Sequence, residues 1–164
     1  MAQARPATSG DAAGLELELV LQVASTASDL PSRAFFATCV TSVLRSWRPR
    51  AELTIRLVDE VEGRELNRRW RQRDYATNVL SFASDGLADV APDLLGDIVL
   101  CVPVVVAEAA AQGKSAAAHW THLTVHGVLH LLGCDHEDEH AAAQMEEHER
   151  TILASLGFAD PYGA

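Results

Sequence analysis

Aromatic residues make up only 5% of this 164-residue chain, and no apolar run reaches the roughly 18 residues that a membrane-spanning helix needs. Cysteine is equally scarce, since Cys39, Cys101 and Cys134 are the only three and they are widely spaced. An odd, scattered set of cysteines argues against a disulfide framework and favours a reducing, cytoplasmic setting. The small, polar stretch 1–14 lacks the apolar segment of a secretory signal. The sequence therefore predicts neither a secreted nor a membrane-spanning protein.

Hydrophobic residues make up 48% of the chain, which is enough for the core of one domain. We expect residues 1–13 to form a disordered leader and residues 14–160 to form a single domain. The spacing of apolar residues predicts four strands, at 15–23, 53–58, 78–82 and 96–102, and five helices, at 31–47, 59–70, 103–112, 115–132 and 137–156. This mixture predicts an α+β fold, in which helices pack on a mixed sheet of about four strands. The apolar strand 96–102 should lie centrally, and Asp59 and Ser115 should cap the second and fourth helices.

Charge is unevenly distributed along the chain. The formal net charge of −10, from 13 basic and 23 acidic residues, argues by itself against a nucleic-acid partner. However, nine of the thirteen basic residues lie between Arg45 and Arg73, whereas twelve acidic residues lie between Asp85 and Glu149. These tracts are either solvated helix faces or, for the basic one, a zone that receives an anionic substrate. Charge alone leaves both interpretations open.

All seven histidines lie in the C-terminal half, where the segment HGVLHLLGCDH begins at His126. His126 and His130 are four residues apart, so on a helix their imidazoles lie on one face and can reach one ion. Gly133 can end the helix in a left-handed conformation and bring His136 back as a third ligand. Three neutral imidazoles suit Zn²⁺ best and leave a fourth position open, as in catalytic sites. The pattern predicts one zinc ion per chain, or another divalent transition metal, on a zincin-like His-x3-His helix.

The residue after the first histidine determines which chemistry this pattern supports. Peptidases with this spacing need a glutamate there as general base, but this chain has Gly127, which cannot transfer a proton. A base would have to come from the substrate or from an acid such as Asp135, for which a role in the turn or in orienting a histidine is favoured. A metallopeptidase therefore becomes the alternative rather than the leading hypothesis.

The histidine segment 126–136 resembles the signature of the YbeY family, bacterial endoribonucleases of rRNA maturation. The resemblance extends to LNRRWRQRD at 66–74, TNVLSF at 77–82 and LGDIV at 95–99. It covers roughly residues 15–157 and implies a single-strand-specific, zinc-dependent endoribonuclease. Such an enzyme acts in 16S rRNA 3′-end maturation and ribosome quality control, with the small ribosomal subunit as its partner.

The resemblance also implies roles for individual residues. The metal ligands would be His126, His130 and His136, and the functionally important arginine would be Arg71. A guanidinium can bind phosphate with a planar fork of donors, which gives Arg71 a catalytic role.

The neighbours of that arginine are weaker candidates. Arg68, Arg69 and Arg73 are candidates for substrate binding, although a solvated surface residue is the favoured interpretation of each one alone. Trp70 could stack on a base, but we expect it to belong to the core. A non-catalytic ribosome-assembly factor, held together by zinc, is a further alternative to the enzyme.

Overall fold

The alternating strands assemble into one four-stranded sheet in the computed structural model, which describes residues 15–84, 89–134 and 138–162. The strands are β1 (Glu16–Val23), β2 (Arg50–Val58), β3 (Val79–Ala83) and β4 (Leu94–Cys101). Their order across the sheet is β1-β2-β4-β3. The first three strands in that order run parallel, and β3 runs antiparallel to β4. The predicted mixed sheet is confirmed, with β4 between two neighbours as its apolar sequence indicated.

β3 and β4 approach each other closely at one glycine. Gly96 has a φ of +142°, and a Cβ at this position would lie 2.1 Å from the carbonyl oxygen of Phe82. Only glycine fits both this backbone conformation and this contact. The strand pairing that positions Ser81 and Phe82 therefore depends on Gly96.

Five helices lie within the described ranges, as predicted. They are α1 (Arg33–Leu44), α2 (Glu60–Arg71), α3 (Val102–Ala111), α4 (Ala116–Leu131) and α5 (Glu139–Ser155). The main core lies between one face of the sheet and α1, α4 and α5, while Leu66 of α2 packs against a smaller cluster that includes Val99. None of the described helices is long and apolar enough to cross a membrane.

The helix starts follow the sequence with one correction. Ser115 caps α4, because its side chain accepts a hydrogen bond from the backbone N–H of Ala118. Asp59 occupies the N-cap position of α2, as predicted, but its side chain does not cap the helix. Its carboxylate accepts hydrogen bonds from the hydroxyls of Ser25 and Thr26 and makes no capping bond. Asp59 therefore joins the end of β2 to the segment after β1.

The predicted leader, residues 1–13, lies outside the described ranges, so the division of the chain at residue 14 stays a prediction.

Candidate active site

The two histidines at i, i+4 lie side by side on α4. The ring centroids of His126 and His130 are 4.8 Å apart, with the ring planes at 68°. The helix that carries them is fixed by its packing against β3, β4 and three other helices. The His126 side chain is 20% exposed, so this part of the helix is reachable from solvent. The two imidazoles therefore lie side by side, as the i, i+4 spacing predicts, while their binding of one ion stays a prediction.

The turn after α4 has the conformation that the glycine predicted. Gly133 has a φ of +94°, and its N–H donates to the carbonyl of His130. The predicted third ligand, His136, and the acid Asp135 lie outside the described ranges. Among the residues that the structure describes, no three histidine, cysteine, aspartate or glutamate side chains are placed to hold one ion. The three-histidine site therefore stays a prediction.

A buried carboxylate that the sequence analysis missed supports the first histidine. Glu149 on α5 is fully buried, and its Oε2 accepts a hydrogen bond from Nδ1 of His126 at 2.7 Å. Its Oε1 accepts from Nε2 of His122 at 2.8 Å and from the hydroxyl of Tyr162. Burial by itself would raise the pKa of the Glu149 carboxyl, but the three hydrogen bonds outweigh burial and lower the pKa to about 2. The carboxylate is therefore ionised at neutral pH and keeps a proton on Nδ1 of His126.

This arrangement fits a metal ligand. Histidines that bind metal through Nε2 donate their Nδ1–H to a carboxylate or carbonyl, which fixes the tautomer and the ring orientation. His126 makes that bond to Glu149, and His130 lies beside it. The donor set of the described residues therefore suits a transition-metal ion.

The sequence does contain a signal for the buried acid. Met145, Glu149 and Leu153 are the buried residues of α5, four positions apart, so one carboxylate interrupts an apolar stripe. A buried charge needs partners, so this interruption predicts a polar contact. Which helix supplies that contact depends on tertiary packing and cannot be taken from the spacing.

The glycine after His126 faces the sheet. A Cβ at Gly127 would lie 3.1 Å from Cδ1 of Ile98 and 3.3 Å from the Ser81 hydroxyl oxygen. Both distances are shorter than ordinary van der Waals contacts, so a side chain here would force Ile98 and Ser81 to move. A glutamate would be overpacked against the sheet, and the metallopeptidase alternative loses support.

We expect Gly127→Glu to lower the free energy of unfolding by about 3 kcal/mol or more, because it overpacks this contact and buries a charge. Ala117→Glu, at an exposed position on the same helix, is the matched control and should change stability little. Urea unfolding of both variants measures the difference. A Gly127→Glu protein that is as stable as the wild type, and that cleaves unfolded casein in a chelator-sensitive way, would contradict this account.

Arg71, at the C-terminal end of α2, reaches the free edge of β3. Its Nη2 donates to the carbonyl oxygen of Ser81 at 2.8 Å, and its guanidinium carbon lies 5.0 Å from the centroid of the Phe82 ring. The Ser81 hydroxyl in turn donates to the carbonyl of Gly127 at 3.3 Å. One strand thus joins the arginine to the residue beside His126. Arg71 itself is exposed, so a ligand can reach it.

The other predicted arginines have different surroundings. Arg68 is paired with Glu65, with an Nη2–Oε1 distance of 2.6 Å, and the Arg69 guanidinium lies 5.5 Å from the Trp70 ring centroid. Arg73 is exposed at the end of the same segment. All three lie close to Arg71 in the chain. In the part of the chain that the structure describes, however, Arg71 is the one of the four whose guanidinium bonds to β3. Substrate binding by the three stays a prediction.

The expectation that Trp70 belongs to the core is wrong, because its side chain is 53% exposed. Its ring packs edge-on against Phe82, with 6.2 Å between centroids, near the end of α2. The aromatic pair is therefore a surface feature beside Arg71.

Fold and site together define a class: an α+β protein in which an edge strand links an arginine to a helix with a histidine pair, one member of which bonds to a buried carboxylate. The family model described as endoribonuclease YbeY matches residues 23–157. Proteins named endoribonuclease YbeY from Pseudomonas savastanoi and Stutzerimonas stutzeri are 56% and 57% identical to this chain. Each alignment covers 89% of this chain, and they cover 88% and 91% of the two relatives. The chain belongs to the endoribonuclease YbeY family.

The fold has a solved counterpart. A solution structure of a protein from Thermotoga maritima superimposes with a TM-score of 0.54 and covers 88% of this chain and 100% of that protein. Its sequence identity to this chain is 19%, so the likeness concerns the fold alone.

Proposed function

We propose that this chain is a metal-dependent endoribonuclease that cleaves single-stranded RNA in 16S rRNA 3′-end maturation and ribosome quality control. Membership of the endoribonuclease YbeY family supports the reaction class. The observation that carries the proposal for the site is the contact from Arg71 through Ser81 to the helix of His126. Through Ser81, this pair of hydrogen bonds links a side chain that can bind phosphate to the helix that carries the histidine pair.

The metal in this proposal is one zinc ion held by His126, His130 and His136. When bound, zinc supplies Lewis-acid polarisation of an oxygen. Glu149 keeps the Nδ1 proton on His126, which leaves ligation to Nε2. Other divalent transition metals can use the same nitrogen donors.

Arg71 has the properties of a phosphate-binding residue. A guanidinium offers several N–H donors in one plane and stays charged at every physiological pH. Here Phe82 and the Ser81 carbonyl hold this plane at the edge of β3. We assign Arg71 to the scissile phosphate, where it neutralises charge that builds up in the transition state. Arg68, Arg69 and Arg73 would attract the RNA backbone, a contribution that salt screens.

Position 127 carries no side chain that could activate a nucleophile as a general base. With Gly127 facing the sheet, no general base follows the first histidine. Water and the RNA 2′-hydroxyl are the two candidate nucleophiles. Attack by the 2′-hydroxyl leaves a 2′,3′-cyclic phosphate, so analysis of the product ends distinguishes them.

The test of the function is a cleavage assay with zinc-loaded protein on single-stranded RNA and on the same sequence as a duplex. We expect cleavage of the single strand, loss of cleavage with chelator and recovery on adding zinc. Casein in the same buffer should stay intact. Protein that binds the small ribosomal subunit but cleaves neither RNA would favour the assembly-factor alternative.

The proposed substrate also implies a location. Small ribosomal subunits are matured in the bacterial cytoplasm, so we assign the protein to that compartment with rRNA as its partner. The exposed face of α2 and β3 is where we expect the RNA to bind.

A further inference from the structure

The segment after α5 folds back onto the histidine helix. We call residues 158–162 the strap. Asp160 in the strap is paired with Arg150 of α5, with an Nε–Oδ2 distance of 2.9 Å, and it also accepts the backbone N–H of Tyr162. The Arg150 guanidinium carbon lies 5.6 Å from the Tyr162 ring centroid. These contacts hold Tyr162 against α5 and α4.

Tyr162 contacts both His122 and Glu149. Its ring meets the His122 ring edge-on, with 5.5 Å between centroids, and its hydroxyl donates to Oε1 of Glu149. The strap therefore reaches a fully buried carboxylate that would otherwise be held by α4 alone. Tyr162 lies beyond the 23–157 stretch that the family model matches.

The two oxygens of Glu149 have different partners. Oε1 accepts from His122 and from Tyr162, whereas Oε2 accepts from Nδ1 of His126. The last side-chain torsion of a glutamate ordinarily takes a broad range of values. Two hydrogen-bond donors on Oε1 restrict this torsion and so fix the plane of the carboxylate. With that plane fixed, Oε2 stays directed at Nδ1 of His126.

The tautomer of His122 is consistent with this division. Its Nδ1 is buried without a hydrogen-bond partner among the described residues. Nε2 is therefore the ring nitrogen that makes the hydrogen bond. Because a carboxylate oxygen only accepts, Nε2 carries the proton and donates it to Oε1 of Glu149, as the Tyr162 hydroxyl does.

We propose that Glu149 and Tyr162 are positioning residues for the metal site, with Tyr162 acting through the Glu149 carboxylate on His126. This inference rests on the proposed metal site. It adds that the strap, outside the matched family region, sets metal affinity by fixing the orientation and tautomer of one ligand.

The test is zinc affinity, measured by competition with a chromophoric chelator on the full-length protein. Loss of such a supporting partner costs about 10–100-fold in metal affinity, so we expect Glu149→Gln to weaken binding within that range. Tyr162→Phe removes one donor a step further away and should weaken binding by about 10-fold or somewhat less. Tyr75→Phe is the matched control, because the Tyr75 side chain is 53% exposed and the structure shows no hydrogen bond from its hydroxyl to Glu149 or His122.

A double variant shows whether Tyr162 acts through Glu149. If it does, Glu149→Gln with Tyr162→Phe should bind zinc no more weakly than Glu149→Gln alone. Additive losses would overturn the proposed route. Unchanged zinc affinity in Tyr162→Phe, with or without a lower melting temperature, would make the strap purely structural and overturn the proposal. These outcomes leave the proposed function standing, whereas a wild-type protein that binds no zinc would overturn the metal site itself.

Discussion

Replacing His126, His130 and His136 together by alanine should remove the bound metal and reduce RNA cleavage by about 10³-fold or more. We expect a rate loss of this size because Lewis-acid stabilisation of a transition state contributes several kcal/mol. Each 1.4 kcal/mol changes the rate about tenfold. Metal content by elemental analysis and cleavage of single-stranded RNA measure the two losses. The wild type should carry about one transition-metal ion per chain.

The matched control for this triple variant replaces two other histidines. His140 and His148 are exposed on α5, so changing both to alanine removes imidazoles without touching α4. That control should keep its metal and its activity. Stoichiometric metal in the triple variant would contradict the ligand assignment, and metal loss in the control would show that the binding is unspecific. A single change such as His130→Ala is a poorer test, because two remaining ligands can hold metal weakly.

The parts of this site that could be predicted from the sequence are those set by local geometry. His126 and His130 share a face because a helix repeats every 3.6 residues, and Gly133 ends that helix because it has no Cβ. Period-two alternation predicted β1 and β2, and the apolar sequence of β4 predicted its place between two neighbours, whereas the inner position of β2 was not predicted. Helix ends were less well predicted: α1 is expected over 31–47 but covers Arg33–Leu44.

The parts that could not be predicted depend on which elements meet. Glu149 lies 23 positions after His126, and its partners are determined by how α5 packs on α4. Asp59 had the residue type and place of a cap, but Ser25 and Thr26 compete for its carboxylate across the sheet. In both cases a tertiary contact, which no window of sequence contains, decides the role of an acid.

Arg71 could be singled out from the sequence, but its contacts could not be predicted from it. Composition placed it among nine basic residues, and the resemblance to a family singled it out. Its indirect link to the histidine helix exists because β3 pairs antiparallel with β4 and so carries Ser81 between α2 and α4. Since 55 positions separate Arg71 from His126, only the completed sheet brings them together.

We expect Arg71→Ala to keep the fold and the metal but to lose RNA cleavage by roughly 10²-fold or more, the scale for removal of one donor to a transition-state oxyanion. Arg71→Lys should recover only part of the loss, because an ammonium keeps the charge without the bidentate fork. The bond from Arg71 to the Ser81 carbonyl is exposed, so its loss should cost no more than about 1 kcal/mol of stability. Cleavage rates, zinc content and melting temperature measure the three effects.

Salt dependence separates catalysis from attraction of the RNA. Arg73 is exposed and two residues away, so Arg73→Ala is the matched control for loss of one positive charge. If Arg73 only attracts RNA, its effect should depend on ionic strength because mobile ions screen exposed charges beyond about 10 Å at 0.1 M salt. The loss in Arg71→Ala should instead persist at every salt concentration, since a contact with the scissile phosphate is closer than that distance. Wild-type cleavage by Arg71→Ala, with unchanged zinc and melting temperature, would remove Arg71 from the mechanism and leave the histidine site to act with a different phosphate-binding residue.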